Sequence, residues 1–97
     1  MHYISVDASL NGTGIRDEIN GGFIEPTSLN LSETIKNRLN IWLEEYANEH
    51  YNGYNDNRNI ERLDKEGKNI AMSIYKEIGN AKINYYSDAK LIRTKIE

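Results

Sequence analysis

Polar and apolar positions sort the chain into short alternating runs at both ends and two helical stretches between them. Tyr3-Ile4-Ser5-Val6 alternates with a period of two and predicts a strand. Asn11-Gly12 marks a turn. Asn20-Gly21-Gly22 is a hairpin signal, because these residues tolerate positive φ, and it is expected to join Ile15–Ile19 to Phe23-Ile24. Pro26 closes that unit, since it cannot sit in a central strand. A helix then follows, with Asn30 as the expected cap and Glu33 reaching back to it. Leu31, Ile35, Leu39, Trp42, Leu43 and Tyr46 fall at helical spacing within about a third of the circumference, and this stripe faces the core. Ile41 lies outside it, beside Asn37, Glu44 and Asn48.

Residues 51–62 are polar and rich in Asn, and read as a loop. Leu63, Gly67, Ile70, Ala71, Ile74 and Ile78 line one face of a second helix, expected to start near a capping Asp64 and to stop at Gly79-Asn80. Gly67 is expected in its first turn, where a missing side chain permits close packing. Residues 81–87 have strand composition, with Ile83 and Tyr85 on one face and Lys82, Asn84 and Tyr86 on the other. Asp88-Ala89 turns the chain, and residues 91–96 return as an antiparallel strand that buries Ile92, Thr94 and Ile96; a short helix capped by Asp88 is the alternative. The order strand, hairpin, helix, helix, strand, strand predicts a single α+β domain over residues 1–97. Its small, mainly antiparallel sheet has two antiparallel helices packed on one face.

Net charge is −3 and its distribution is uneven. Residues 1–56 carry nine acids against three bases, and residues 57–97 carry six against nine. The weak basic bias of the second half is a poor footing for nucleic acid. There is no cysteine, so disulfides, thiol chemistry and Cys-based zinc sites are excluded. The first twelve residues lack the basic and apolar regions of a signal peptide. No apolar run approaches the roughly 20 residues of a membrane span.

Catalytic chemistry needs convergent groups, and the candidates are few. His2 and His50 are the only histidines, with no spacing that suits a metal. No nucleophile motif surrounds any serine. Gly12-x-Gly14 lacks the third glycine of a dinucleotide loop. Arg16 is expected to pair with its neighbours Asp17 and Glu18. Tyr85-Tyr86 near Lys82, Lys90 and Arg93 mixes aromatic and basic residues as a single-strand binder does. One segment stands apart: Glu44 to Asp56 holds Glu44, Glu45, Glu49, Asp56, Tyr46, Tyr51 and Tyr54 with no Lys or Arg. Carboxylates steer a basic partner, and tyrosines supply rigid contact area. The candidate contact residues are therefore Ile41, Glu44, Glu45, Asn48, Glu49, Tyr51, Tyr54 and Asp56. Reversing Glu45 and Glu49 to Lys is expected to slow association. Asp7, Asp17 and Glu18 are the acids available for a contact elsewhere.

The segments GTGIRDEINGGFIEP, LSETIKNRLNIWLEEY, DKEGKNIAMSIYKEIG and KINYY, taken in order, resemble the small bacterial immunity proteins of contact-dependent growth inhibition systems. The resemblance spans most of the chain and rests on segment order. It implies a cytosolic, non-catalytic protein without cofactor or metal. Such a protein binds the C-terminal toxin domain of a large secreted adhesin, often a basic nuclease acting on transfer RNA, and neutralises it. It carries over no contact residue by position. On this reading the chain binds a toxin domain, and contacts neither nucleic acid nor membrane directly. The alternative is a non-catalytic adaptor for another basic cytosolic protein; a small enzyme using His50 and the tyrosines is a third reading.

Overall fold

Six regular elements are present in a computed structural model that describes all of residues 1–97. They are β1 (His2–Asp7), β2 (Ile15–Asp17), α1 (Glu33–Tyr51), α2 (Asn57–Ile78), β3 (Ala81–Ser87) and β4 (Ile92–Lys95), with a 3-10 turn at Pro26–Leu29 before α1. The sheet order is β2-β1-β3-β4. The outer pairs are antiparallel and the central pair is parallel, Ile4 beside Ile83 and Val6 beside Tyr85. A parallel pair needs a long crossover, and here the crossover carries both helices. Its five-residue link, residues 52–56, makes them antiparallel neighbours over one face of the sheet. The fold class read from the chain is the one observed.

Alternation decides the faces. Ile4, Val6, Ile15, Ile83 and Tyr85 point at the helices and are buried with Leu31 just before α1, Ile35, Leu39, Trp42 and Tyr46 from α1 and Leu63, Ile70, Ala71 and Ile74 from α2. Each fully buried large side chain of this kind contributes about 1.5–3 kcal/mol through burial. Trp42 sits at the centre, edge-on to Tyr46 and Tyr85, and its indole N–H donates to the Leu63 carbonyl at 2.8 Å. Gly67 faces these rings from the middle of α2, not from its first turn. A Cβ there would stand 2.2 Å from Tyr85 Cε1 and 2.9 Å from Trp42 Cζ2, so only glycine lets α2 approach this closely.

Several local expectations are corrected. The cap of α1 is Ser32, whose hydroxyl accepts from Ile35 N at 3.3 Å. Asn30 instead takes a left-handed conformation that ends the 3-10 turn. Glu77, near the end of α2, accepts from Ser32 N at 2.8 Å; these hydrogen bonds hold its carboxyl below the usual range. The second helix begins seven residues before Asp64, capped by Asp56. Ile60 extends its buried face, while Arg58, Glu61 and Arg62 turn to solvent. The first hairpin is abbreviated: β2 ends at Asp17, and Phe23 makes one isolated bridge to Arg16. The Asp17 carboxylate closes that turn, accepting from Asn20 N and Ile19 N, and these backbone N–H groups lower its pKa. Residues 91–96 do return as a strand, but the helices pack over β1 and β3 and stop short of β4. Ile92 therefore points to the helix side with nothing over it and is 56% exposed, while Thr94 and Ile96 are only half-buried. No helix is long and apolar enough to cross a membrane.

Candidate partner-binding site

Because Ile35, Leu39, Trp42 and Tyr46 turn α1 inward, its outer face is fixed as Asn37, Ile41, Glu44, Asn48 and Tyr51, at spacings of four, three, four and three. All five are exposed. Ile41 is 59% and Tyr51 77% exposed, and these two are the only large apolar side chains α1 offers to solvent. They lie about 15 Å apart along the helix at 1.5 Å per residue. Glu44, between them, forms no ion pair. The ridge is flanked by two shallow hollows. One, of about 230 Å³, lies between Leu43, Glu44 and Ala47 of α1 and the loop of residues 8–12. The other, of about 150 Å³, lies between α1 and α2 and is bordered by Ile41, Glu45 and Arg62.

The remaining nominated residues do other work. Glu45 pairs with Arg62 of α2, whose guanidinium is also held by Asn59. Glu49 is 6% exposed and accepts from Asn59 Nδ2 at 3.0 Å. Tyr54 stands at positive φ and donates to Asp88 Oδ2 at 2.6 Å. Its proton being committed there, its oxygen accepts from His50 Nδ1 at 3.2 Å. Asp56 caps α2, accepting from Asn59 N at 3.1 Å. The base-free segment of the sequence is thus not base-free in space. Glu45, Glu49, Tyr54 and Asp56 hold the helix–helix turn together, whereas Ile41, Glu44, Asn48 and Tyr51 form the ridge. Asp7, Asp17 and Glu18 are equally committed: Asp7 is buried and pairs with Arg16 at 2.9 Å, and Glu18 pairs with Arg93 at 2.8 Å. Arg16 reaches Asp7 rather than Asp17 because adjacent strand residues point to opposite faces.

No protein-family model, curated protein or solved structure matches this chain. The reading of the site rests on its chemistry alone.

One cluster escaped the sequence reading. Asp64 is 6% exposed, and its carboxylate accepts from Tyr85 Oη at 2.6 Å, Tyr46 Oη at 2.8 Å and Ser87 Oγ at 2.9 Å. The knot joins α1, α2 and β3, and extends to the β3–β4 turn, where Ala89 N donates to Tyr46 Oη and Lys90 N to Ser87 Oγ. Tyr85 and Tyr86 do not act together: Tyr85 belongs to this core, while Tyr86 lies on the open face beside Arg93. No group of three or more His, Asp or Glu side chains converges as a metal site would need.

Burial pushes the Tyr46 phenol up to about 12, and Tyr85 and Tyr54 are raised by burial and by their hydrogen bonds to Asp64 and Asp88. Above the ordinary phenol value of 10.0, the unfolded chain releases these protons first. The stabilisation is therefore complete below pH 10 and declines as pH rises toward 12. Thermal melts across this range should show a falling midpoint, with these phenols ionising only as the chain unfolds. A midpoint constant to pH 12 would contradict the assignment.

Proposed function

We propose that the chain is a non-catalytic immunity protein of a contact-dependent growth inhibition system. It acts in the cytoplasm, where it binds and neutralises the C-terminal nuclease toxin domain. The observation that carries this reading is the outer ridge of α1. Two large exposed side chains, Ile41 and Tyr51, bracket an unpaired carboxylate on a rigid helix. A rigid aromatic anchor gives binding energy at small entropic cost, and central apolar anchors dominate most protein interfaces. A nuclease holds RNA through cationic side chains. Glu44 meets such a cation, and the neighbouring ring and aliphatic side chain exclude water from the contact. RNA and the ridge then compete for the same charges. The segment-by-segment resemblance to immunity proteins supports the same conclusion.

Co-expression of the chain with the product of the neighbouring upstream gene tests this. The expected result is restored growth and a complex that survives purification. Continued killing in cells that hold abundant folded chain would contradict it, and recovery with an unrelated housekeeping protein would favour an adaptor.

A further inference from the structure

Of the twelve Lys and Arg residues, five are in ion pairs: Arg16, Lys36, Arg38, Arg62 and Arg93. Seven have no ion-pair partner. Five of those seven, Lys65, Lys68, Lys82, Lys90 and Lys95, line two hollows on the opposite sides of β4. The first hollow, about 340 Å³, exists because the helices stop short of β4. Lys65 and Lys68 of α2 and Lys90 of the turn border it, and Ile92 forms its apolar wall. The second, about 490 Å³, lies on the uncovered face of the sheet and is bordered by Lys82 and Lys95.

Acids are present but do not cancel this charge. In the first hollow three lysines outnumber Glu61 and Asp64, and the Asp64 carboxylate is turned to three hydroxyls. Glu61 in the first and Glu97 in the second make no ion pair. β4 is the last strand of the sheet, and its outer edge has no strand partner. Lysine on an edge strand ordinarily keeps other strands away. That role does not account for this set, because only Lys95 belongs to β4. Lys65 and Lys68 come from a helix and Lys82 from the neighbouring strand.

An extended chain laid along β4 sends successive side chains to opposite faces. Alternate residues therefore enter one hollow and then the other, and both are lined by free lysines. We infer that β4 is the docking edge for an extended acidic segment of a protein partner. Its backbone pairs with β4, its carboxylates meet Lys65, Lys68 and Lys90 on one side and Lys82 and Lys95 on the other, and an apolar residue covers Ile92. The free backbone edge and exposed Ile92 favour a peptide over a nucleic-acid strand, which has no amides to pair. The α1 ridge borders the loop of residues 8–12 and the groove between α1 and α2, and shares no lining residue with either hollow beside β4. The inference does not depend on the toxin-binding reading.

Amide spectra of the isotope-labelled full chain decide it, using a blocked peptide Glu-Glu-Val-Glu-Glu, which presents carboxylates on both faces of an extended strand. Shifts and slowed exchange are expected at residues 92–95. Affinity should fall by about tenfold in K65E/K68E and again in K82E/K95E, with the folded spectrum retained. It should also fall as salt rises, and stay unchanged in E44K. Absence of shifts at β4 overturns the inference. So does equal binding of the same peptide with Lys in place of Glu, or displacement of the acidic peptide by single-stranded RNA, which would mark a nucleic-acid surface instead.

Discussion

Asp64→Ala is expected to destabilise the chain by about 3–4 kcal/mol, the largest single effect of any polar substitution here. The change leaves three buried hydroxyls, on Tyr46, Tyr85 and Ser87, without their acceptor. Each stranded buried donor costs about 1–3 kcal/mol, and partial rearrangement keeps the total below the simple sum. Ser87 still has Tyr46 Oη within 3.3 Å, which is one such rearrangement. A domain of this size has only about 5–15 kcal/mol in hand. The melting midpoint should fall by on the order of 15–25 °C. Asp64→Asn keeps the shape and one carbonyl acceptor, and its amide can donate to Ser87 Oγ, so it should cost about 1–2 kcal/mol. Equal losses in the two variants would show that volume, and not the hydroxyl knot, sets the stability. Denaturant unfolding of both, with slopes compared, separates these cases.

The second large effect concerns binding. Ile41→Ala with Tyr51→Ala should weaken the proposed toxin complex by on the order of a hundredfold, mainly through faster dissociation. Both side chains are exposed, so the melting midpoint should hardly move. Glu44→Lys should act differently, slowing association by about tenfold at low salt and much less at high salt. Glu49→Lys should behave as a stability variant, because it puts a cation at a buried position facing Asn59. Kinetic traces at two salt concentrations distinguish the three. A uniform effect of all of them on association alone would contradict the division between ridge and turn.

Much of the fold was legible because it is written in local periodicity. The inward stripe of α1 alternates by threes and fours from Ile35 to Tyr46, and the strand at residues 81–87 alternates by twos. These patterns also fixed Ile41 as outward-facing. What failed was long-range. Asp64 reads as a cap because it precedes an apolar run, yet its partners Tyr46, Tyr85 and Ser87 lie eighteen or more residues away. The start of α2 was hidden because Ile60 is the lone apolar residue between Asn55 and Arg62. A polar stretch with one buried contact has no period to detect. The true cap, Asp56, followed Asn and Gly residues that suggest a loop.

The ridge was legible in half. Helical geometry placed Ile41, Glu44 and Asn48 together, and Tyr51 continues that row by one more turn. Linear composition could not reveal that Arg62 stands against Glu45, or that Glu49 is covered by Asn59. Both partners come from the next helix, and its extension back to Asn57 is what brings them there. In the sequence Lys82 and Lys90 stood out only beside Tyr85 and Tyr86, and Lys65, Lys68 and Lys95 only as part of a weak basic bias. Their convergence follows from a sheet one strand wider than the helices covering it.

The structure of the chain bound to the proposed toxin domain is the most direct measurement. Immunity through the α1 ridge predicts that Ile41, Glu44, Asn48 and Tyr51 lose their solvent exposure against a face rich in Lys and Arg. An inhibited complex in which Ile41 and Tyr51 remain in water, with the toxin seated on another surface, would contradict it.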